Sequence, residues 1–293
     1  MRRRILIVAA AVAALALPLS PLPVAAQAPA RGQGPGAAAG GGQGRGRGPR
    51  PESGPAPRWP DGRINFGAQP GETGVWERRN QYLAINPLAY EARATRSSRI
   101  DIAQVPLQPW ARALTNYRQR LTLATEPYSR CKPAGGPRQM MSPYGLEIVD
   151  LPDLKQAFIF NISDAMSYRV IYMDGRGHPT KIEPSYFGHS IGHWDGDTLV
   201  VDTIGYNESF WMNRDGMPHT EQLHTIERIS RPNFDTLDYT VTIDDPGAYT
   251  APWTSGYTLA WQSGSGLFEY MCQENNLSPE SMEGEHLISP IAP

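Results

Sequence analysis

Cysteine, dense basic clusters and long apolar runs are all scarce in this 293-residue sequence. Only two cysteines occur, and no Cys-x-x-Cys or His-x-His motif supplies a common spacing of metal ligands. From Trp59 onward the chain has 19 basic and 28 acidic residues. A surface that binds nucleic acid needs clustered Lys and Arg, so this acidic body argues against one. The composition also excludes a coiled coil and a protein with several membrane spans.

The first residues have the three parts of a secretory signal. Basic residues 2–4 precede an apolar run at 5–17, and small residues follow near Ala26 and Ala28. Three prolines interrupt the run well short of the ~20 apolar residues that a membrane span needs. We therefore predict a signal peptide over residues 1–28, a periplasmic or secreted protein, and no membrane span.

Composition and periodicity divide the remaining chain into four segments. Residues 29–58 are almost entirely Gly, Pro, Ala, Gln and Arg, which bury too little apolar surface to fold, so we predict a disordered tether. Residues 59–144 are expected to form an N-terminal extension with one helix that packs on a barrel. Residues 145–276 are expected to form that antiparallel β-barrel, and residues 277–293 a C-terminal tail.

The hydrophobic period changes from helical to extended at Gly145. Before it, apolar residues recur at three- and four-residue steps from Trp110 to Leu121, which predicts an amphipathic helix over 109–123. After it, short segments alternate with period two and lack helical crossovers. The expected fold is mainly β, an up-and-down, lipocalin-like β-barrel around one small ligand, with a two-sheet β-sandwich as the alternative. The predicted strands cover 146–151, 156–162, 168–173, 187–194, 197–204, 220–230, 236–243, 254–262 and 267–272.

The two cysteines, Cys131 and Cys272, predict one disulfide, because an even cysteine count in an exported protein favours pairing. Closing a loop of ~140 residues would remove about 4–5 kcal/mol of unfolded-chain entropy. The bridge would pin the segment before the first strand of the barrel to its last strand.

An Asp-Gly pair between two extended segments favours a two-residue turn at Asp195–Gly196. This turn places His189 directly opposite Asp202, and opposed residues point to the same face of a sheet. The other residues on that face are apolar. We therefore expect the face to point into the barrel, with the His–Asp pair inside it.

A second hairpin is predicted to turn through residues 232–235. That loop aligns Arg228 with Tyr239 and His224 with Ile243, on the face whose residues are mostly apolar. We expect His224 and Arg228 to point inward, whereas a slip of one residue would send both to solvent.

Polar groups inside an apolar barrel predict proton-transfer chemistry. An imidazole held by a carboxylate keeps one tautomer and gains basicity, which suits a general acid or base. An inward arginine would hold a substrate carboxylate or stabilise an enolate or phenolate charge. The expected activity is that of a cofactor-independent lyase, isomerase or decarboxylase acting on a small aromatic or apolar acid. The predicted catalytic residues are His189, Asp202, His224 and Arg228, and the predicted substrate-binding residues are Tyr172, His193 and Tyr239.

No cofactor or metal is expected. His189 and His193 share a strand face but stand about 13 Å apart at ~3.3 Å per residue, which is too far for one zinc ion. A metal would need cross-strand ligands such as His189 and Asp202 together with a third. Two other classes stay open: a non-catalytic carrier of a hydrophobic ligand, and an envelope structural or interaction protein. For the carrier, the barrel would be lined by Phe158, Phe160, Tyr168, Tyr172, Tyr257 and Trp261.

Residues 188–203, with the sequence GHSIGHWDGDTLVVDT, resemble the signature of a widespread family of exported bacterial proteins of unassigned activity. The similarity covers about residues 107–272 and implies an exported β-rich domain, without a substrate. A looser similarity to lipocalin-like barrels rests on topology and on the Gly-x-Trp at 192–194. Further matching stretches are Cys131 with Pro133, Pro137 and Arg138; residues 171–176 with His178 and Pro179; residues 216–219; and Asp245-Pro246 before Tyr249, Pro252 and Trp253.

Overall fold

The computed structural model describes residues 53–78, 81–82, 97–98, 100–120, 125–141, 144–162 and 167–272. The predicted signal peptide, residues 29–52 of the predicted tether and the predicted C-terminal tail lie outside the described residues. Within these ranges, no helix has both the length and the apolar character needed to cross a membrane.

The described elements are mostly strands. In chain order they are β1 (Gly74–Arg78), β2 (Gln81–Tyr82), β3 (Ser97–Ser98), β4 (Leu146–Leu151), β5 (Gln156–Asn161), β6 (Tyr168–Tyr172), β7 (His189–Asp195), β8 (Thr198–Ile204), β9 (His224–Asn233), β10 (Thr236–Asp244) and β11 (Trp253–Ser263). Helix α1 spans Pro109–Arg120, and short 3-10 helices cover Ile102–Gln104, Pro127–Arg130, Gly136–Met141 and Pro152–Leu154.

Nine of the described strands close into a barrel in the order β1-β11-β10-β9-β8-β7-β6-β5-β4, and β1 returns to β4 through Trp76 and Leu146. The predicted β-barrel is therefore confirmed, and the sandwich alternative is wrong. The barrel also begins earlier than residue 145, because β1 comes from the segment predicted to be an extension. The predicted strand over 267–272 does not form, and β11 and β1 close the barrel instead.

One neighbouring pair departs from the up-and-down pattern. Strands β6 and β7 run parallel, with Ile171 beside Ser190 and Tyr172 beside Ile191. Parallel neighbours need a long connection, and residues 173–188 provide it. This connection, which we call the crossover segment, contains His178.

Helix α1 begins where the periodicity predicts, but it buries a different face. Its buried residues are Ala111 and Thr115, whereas Trp110 and Tyr117 are about half exposed. The indole nitrogen of Trp110 donates a hydrogen bond to the carbonyl of Gly247 at 2.9 Å. Small buried residues let the helix lie close to the connection between β10 and β11, so the large side chains remain at its edge.

The barrel interior is filled with side chains. Alternate residues of β10 are buried as predicted, and Tyr257 of β11 is equally inaccessible. The other predicted lining aromatics of β5 and β6 do not face inward. Phe158, Phe160 and Tyr168 pack against one another on the outer wall, where the ring of Tyr168 is 56% exposed.

The predicted disulfide between Cys131 and Cys272 is confirmed, and it spans a sequence separation of 141. Cys131 follows the 3-10 helix Pro127–Arg130, while Cys272 lies beyond the end of β11. The bridge thus ties the segment before the main run of strands to the chain that follows the last strand.

Candidate functional site

The β7–β8 hairpin has a different register from the predicted one. His189 pairs with Ile204, and Asp202 pairs with Ile191, so His189 and Asp202 are not directly opposed. The loop is Gly196–Asp197, in which Gly196 has φ +60°. A glycine at the first loop position favours a type II′ turn. Compared with the prediction, the loop lies one residue later in the chain, so each residue of β7 pairs with a residue of β8 two positions further on.

The whole predicted face of this hairpin also points outward rather than inward. Ser190, Leu199, Val201 and Thr203 form the inner, buried face. His189 and Asp202 are on the other face, together with Val200, which is also buried. The prediction that the His–Asp face lines the interior is therefore wrong. The prediction fails because the inner face contains the hydroxyl groups of Ser190 and Thr203, which bind the buried Arg169. In addition, the crossover segment covers part of the outer wall.

The β9–β10 hairpin differs from its predicted register by one residue. Arg228 pairs with Thr240 and His224 with Asp244, because the loop is Phe234–Asp235 and the pairing is irregular just after it. His224 and Arg228 consequently face outward, so their predicted inward orientation is wrong. Arg228 donates to Asp195 at 2.7 Å in an exposed ion pair and takes no part in the histidine cluster described next.

Three histidines and one aspartate form an unbroken hydrogen-bonded chain on the outer wall. His178 Nδ1 lies 2.8 Å from His189 Nδ1, and His178 Nε2 lies 3.1 Å from Asp202 Oδ1. The same Oδ1 lies 2.8 Å from His224 Nε2. The structure thus brings together three of the four predicted catalytic residues, with His178 as an unpredicted link between them. We call this set the histidine chain.

With the histidines neutral and Asp202 ionised, the hydrogen-bond partners determine where the protons lie in this chain. An ionised carboxylate only accepts hydrogen bonds, so His178 and His224 each donate from Nε2 to Asp202. A neutral His178 then accepts at Nδ1, and His189 must donate from its own Nδ1. The remaining nitrogen of His189, Nε2, therefore keeps its lone pair. The side chains of His178, Asp202 and His224 are 16%, 34% and 38% exposed, so the chain is sheltered but reachable.

The local environment keeps His189 neutral. Burial lowers the pKa of His189, and it is lowered further because His178 and His189 would repel each other if both were protonated and because Arg176 is cationic. A neutral imidazole near physiological pH is available as a base, whereas an imidazolium is not.

An aromatic ring and an arginine lie beside His189. The Tyr172 ring stacks on the His189 ring with centroids 5.1 Å apart, and the Arg176 guanidinium lies 4.1 Å from the centroid of Tyr172. Arg176 binds Asp174 through Nε and Nη2, and this contact lowers the pKa of Asp174 to about 2. Nη1 of Arg176 makes no hydrogen bond to a described residue.

The other two predicted substrate-binding residues lie elsewhere. Tyr239 is fully buried in the barrel and donates its hydroxyl to Glu227 at 2.7 Å. His193 is on the outer face of β7, about 13 Å along the strand from His189 at ~3.3 Å per residue. Neither side chain is brought to the histidine chain.

A buried ion pair inside the barrel is the main polar feature that the sequence reading missed. Arg169 binds Glu227 through both terminal nitrogens and also donates to Ser190 at 2.9 Å and Thr203 at 3.0 Å. Burial alone would lower the pKa of Arg169, but the Glu227 carboxylate outweighs burial and raises it. The signal available in the sequence was parity, since Glu227 shares the buried face of β9 with Thr225, Ile229 and Arg231.

No group of three or more His, Cys, Asp or Glu side chains within the described ranges is arranged to hold a metal ion. Comparison of the chain with protein-family models, curated proteins and solved structures finds no match. The assignment of a function therefore depends on the geometry of the histidine chain and its surroundings.

Proposed function

We propose that this protein is an acid–base catalyst of the lyase, isomerase or decarboxylase type that works without a cofactor. The observation that carries the proposal is the unbroken hydrogen-bonded chain from His224 through Asp202 and His178 to His189. It leaves a lone pair on His189 Nε2, and it offers a route by which positive charge gained there is shared with a carboxylate.

In this mechanism His189 Nε2 removes a proton from a carbon acid. The imidazolium that forms keeps its hydrogen bond to His178, and the Asp202 carboxylate stabilises the positive charge. The same proton is then returned to another carbon in an isomerase or to the leaving group in a lyase. In a decarboxylase, His189 would instead remove an O–H proton, and that proton would be delivered to the carbon that CO2 leaves, so His189 is regenerated in each case. This role of Asp202 resembles the orienting of an imidazole by a buried carboxylate in other acid–base sites.

The proposed substrate is a small aromatic or apolar acid. Its apolar body would lie against the ring of Tyr172, and its carboxylate would bind Nη1 of Arg176. Arg176 thereby takes the role that the sequence suggested for Arg228. We place the substrate on the outer wall because Arg169, Glu227 and Tyr239 occupy the interior.

We also propose that the protein works outside the cytoplasm. The Cys131–Cys272 disulfide supports this location, since disulfides persist mainly in oxidising compartments.

The base can be tested without knowing the natural substrate. In the ring opening of nitrobenzisoxazole, a base removes a C–H proton while the N–O bond breaks, and the product is a coloured phenolate. We expect the protein to exceed free imidazole by at least about a hundredfold per site. The rate should rise as His189 loses its proton, with a midpoint below the ordinary value of 6.5.

The variant His189→Gln should lose this activity, whereas His193→Gln, the same change on the same face of β7, should keep it. Incubation of a panel of aromatic acids in heavy water, followed by mass spectrometry, would then show which substrates exchange a carbon-bound proton. If His189→Gln were as active as the wild type, the base would be misassigned. An interaction role would then be preferred, for which the outward rings of Phe158, Phe160 and Tyr168 offer a surface.

A further inference from the structure

A cavity of about 290 Å³ lies at the rim of the barrel, apart from the histidine chain. It is formed where the β4–β5 connection meets the end of β7 and the start of the crossover segment. The lining residues that matter for its chemistry are Asp150, Arg63, Lys155, Met173, His193 and Trp194.

Contacts among the surrounding residues hold the floor of the cavity in place. Arg63 binds Asp150 through Nη1, and it also binds Asp61 through Nε and Nη2. The Trp194 ring stacks almost parallel to Phe66, with centroids 5.6 Å apart. The carbonyl of Lys155 accepts a hydrogen bond from the Met173 N–H at 2.8 Å, which joins the two loops that flank the opening.

The charges around the cavity leave one cation unmatched. The acidic lining residue Asp150 is already paired with Arg63. The ammonium group of Lys155 makes no ion pair with any described residue, and the imidazole of His193 likewise lacks a hydrogen-bond partner among them. The indole of Trp194 and the thioether of Met173 supply a partly buried apolar wall.

We propose that this cavity binds a single-ring aromatic carboxylate. The ring would pack against Trp194 and Met173, and the carboxylate would accept hydrogen bonds from Lys155 and His193. The volume suits a molecule of this size, because pockets for larger ligands extend from about 300 to 1,000 Å³. Binding here is separate from proton transfer at His189.

The test compares an acid with its neutral analogue. Benzoate and benzamide have nearly the same shape but differ in charge, and each would be titrated into the isotope-labelled full-length protein. The readouts are the NMR signals of the Trp194 indole N–H and the His193 ring. We expect saturable shifts with benzoate and about tenfold weaker binding of benzamide, the effect of losing one charge-assisted hydrogen bond.

Two lysine variants decide which charge is responsible. Lys155→Gln should bring benzoate down to the affinity of benzamide, while Lys181→Gln, an exposed lysine outside the cavity, should leave benzoate binding unchanged. His189→Gln should also bind benzoate normally, so loss of the proposed catalysis and loss of this site are distinguishable.

Three results would overturn the proposal. These are no saturable shift of Trp194 or His193 with benzoate, equal binding of benzoate and benzamide, or unchanged benzoate affinity in Lys155→Gln. The spectrum of Lys155→Gln away from the cavity should overlay that of the wild type, which shows that the variant is folded.

Discussion

Replacing Glu227 by glutamine should strongly destabilise the protein. Arg169 and Glu227 are 2% and 0% exposed, and Arg169 is bonded to Glu227, Ser190 and Thr203 inside the barrel. The amide keeps the size of the side chain but removes its charge, so the guanidinium is left buried without a counter-ion. Breaking a buried pair in this way costs about 3–5 kcal/mol, a large part of the stability of a typical domain.

The measurement is urea unfolding of the oxidised protein at neutral pH, followed by tryptophan fluorescence. Glu183→Gln makes the same chemical change at an exposed position and should leave the free energy of unfolding within about 0.5 kcal/mol of wild type. The double variant Arg169→Met with Glu227→Leu should recover much of the loss, because neither buried charge remains.

A loss below about 1 kcal/mol in Glu227→Gln, the level of an exposed ion pair, would contradict a buried and unsolvated Arg169–Glu227 pair. A double variant as unstable as the sum of both single variants would contradict it too, because the two side chains would then act independently.

Three further predictions concern the bridge, a glycine and the histidine chain. The double variant Cys131→Ser with Cys272→Ser should lose about 4–5 kcal/mol in the same unfolding assay, from the loop of 141 residues that the bridge closes, and a loss near zero would contradict the closure argument. Gly188→Ala should cost about 1–3 kcal/mol, since Gly188 has φ +62° and an added Cβ would lie 2.5 Å from the Ile204 carbonyl oxygen; a variant of wild-type stability would contradict it. The lowered pKa of His189 means that its contribution to stability is present above the unfolded value of about 6.5 and is lost as pH falls through the folded value. The free energy of unfolding, measured in urea, should therefore fall less steeply between neutral pH and about pH 5 in His189→Gln than in the wild type. Equal slopes would contradict the lowered pKa of His189.

The barrel and the disulfide could be predicted from the sequence because both depend on strong local or compositional signals. Alternation with period two persists from β4 to β11, and only one pairing of cysteines is possible. Strand β1 was missed because its five residues lie in a segment of mixed pattern, and its place is decided by pairing with β11.

The faces of the hairpins could not be predicted with the same rules. The sequence Asp195-Gly196-Asp197 allows two turns that differ by one residue, and both faces of β7 and β8 contain apolar side chains. The choice between the faces depends on Arg169, which comes from another strand and satisfies the hydroxyl groups of Ser190 and Thr203.

The order of residues in the histidine chain could not be predicted from the sequence either. The predicted pairing of His189 with Asp202 is direct, whereas the structure inserts His178 between them. His178 reaches this position only because the crossover segment passes over the outer wall, and that path follows from the parallel pairing of β6 with β7. A pattern of alternation along one strand contains no information about such a connection.

The role of His189 as a base is tested most directly by its tautomer in the resting protein at neutral pH. Long-range nitrogen–proton NMR of the imidazoles distinguishes a proton on Nδ1 from one on Nε2. We expect His189 to have its proton on Nδ1 and a lone pair on Nε2, and His178 and His224 to have protons on Nε2. A proton on Nε2 of His189 would contradict this expectation, because no base would then face the proposed substrate.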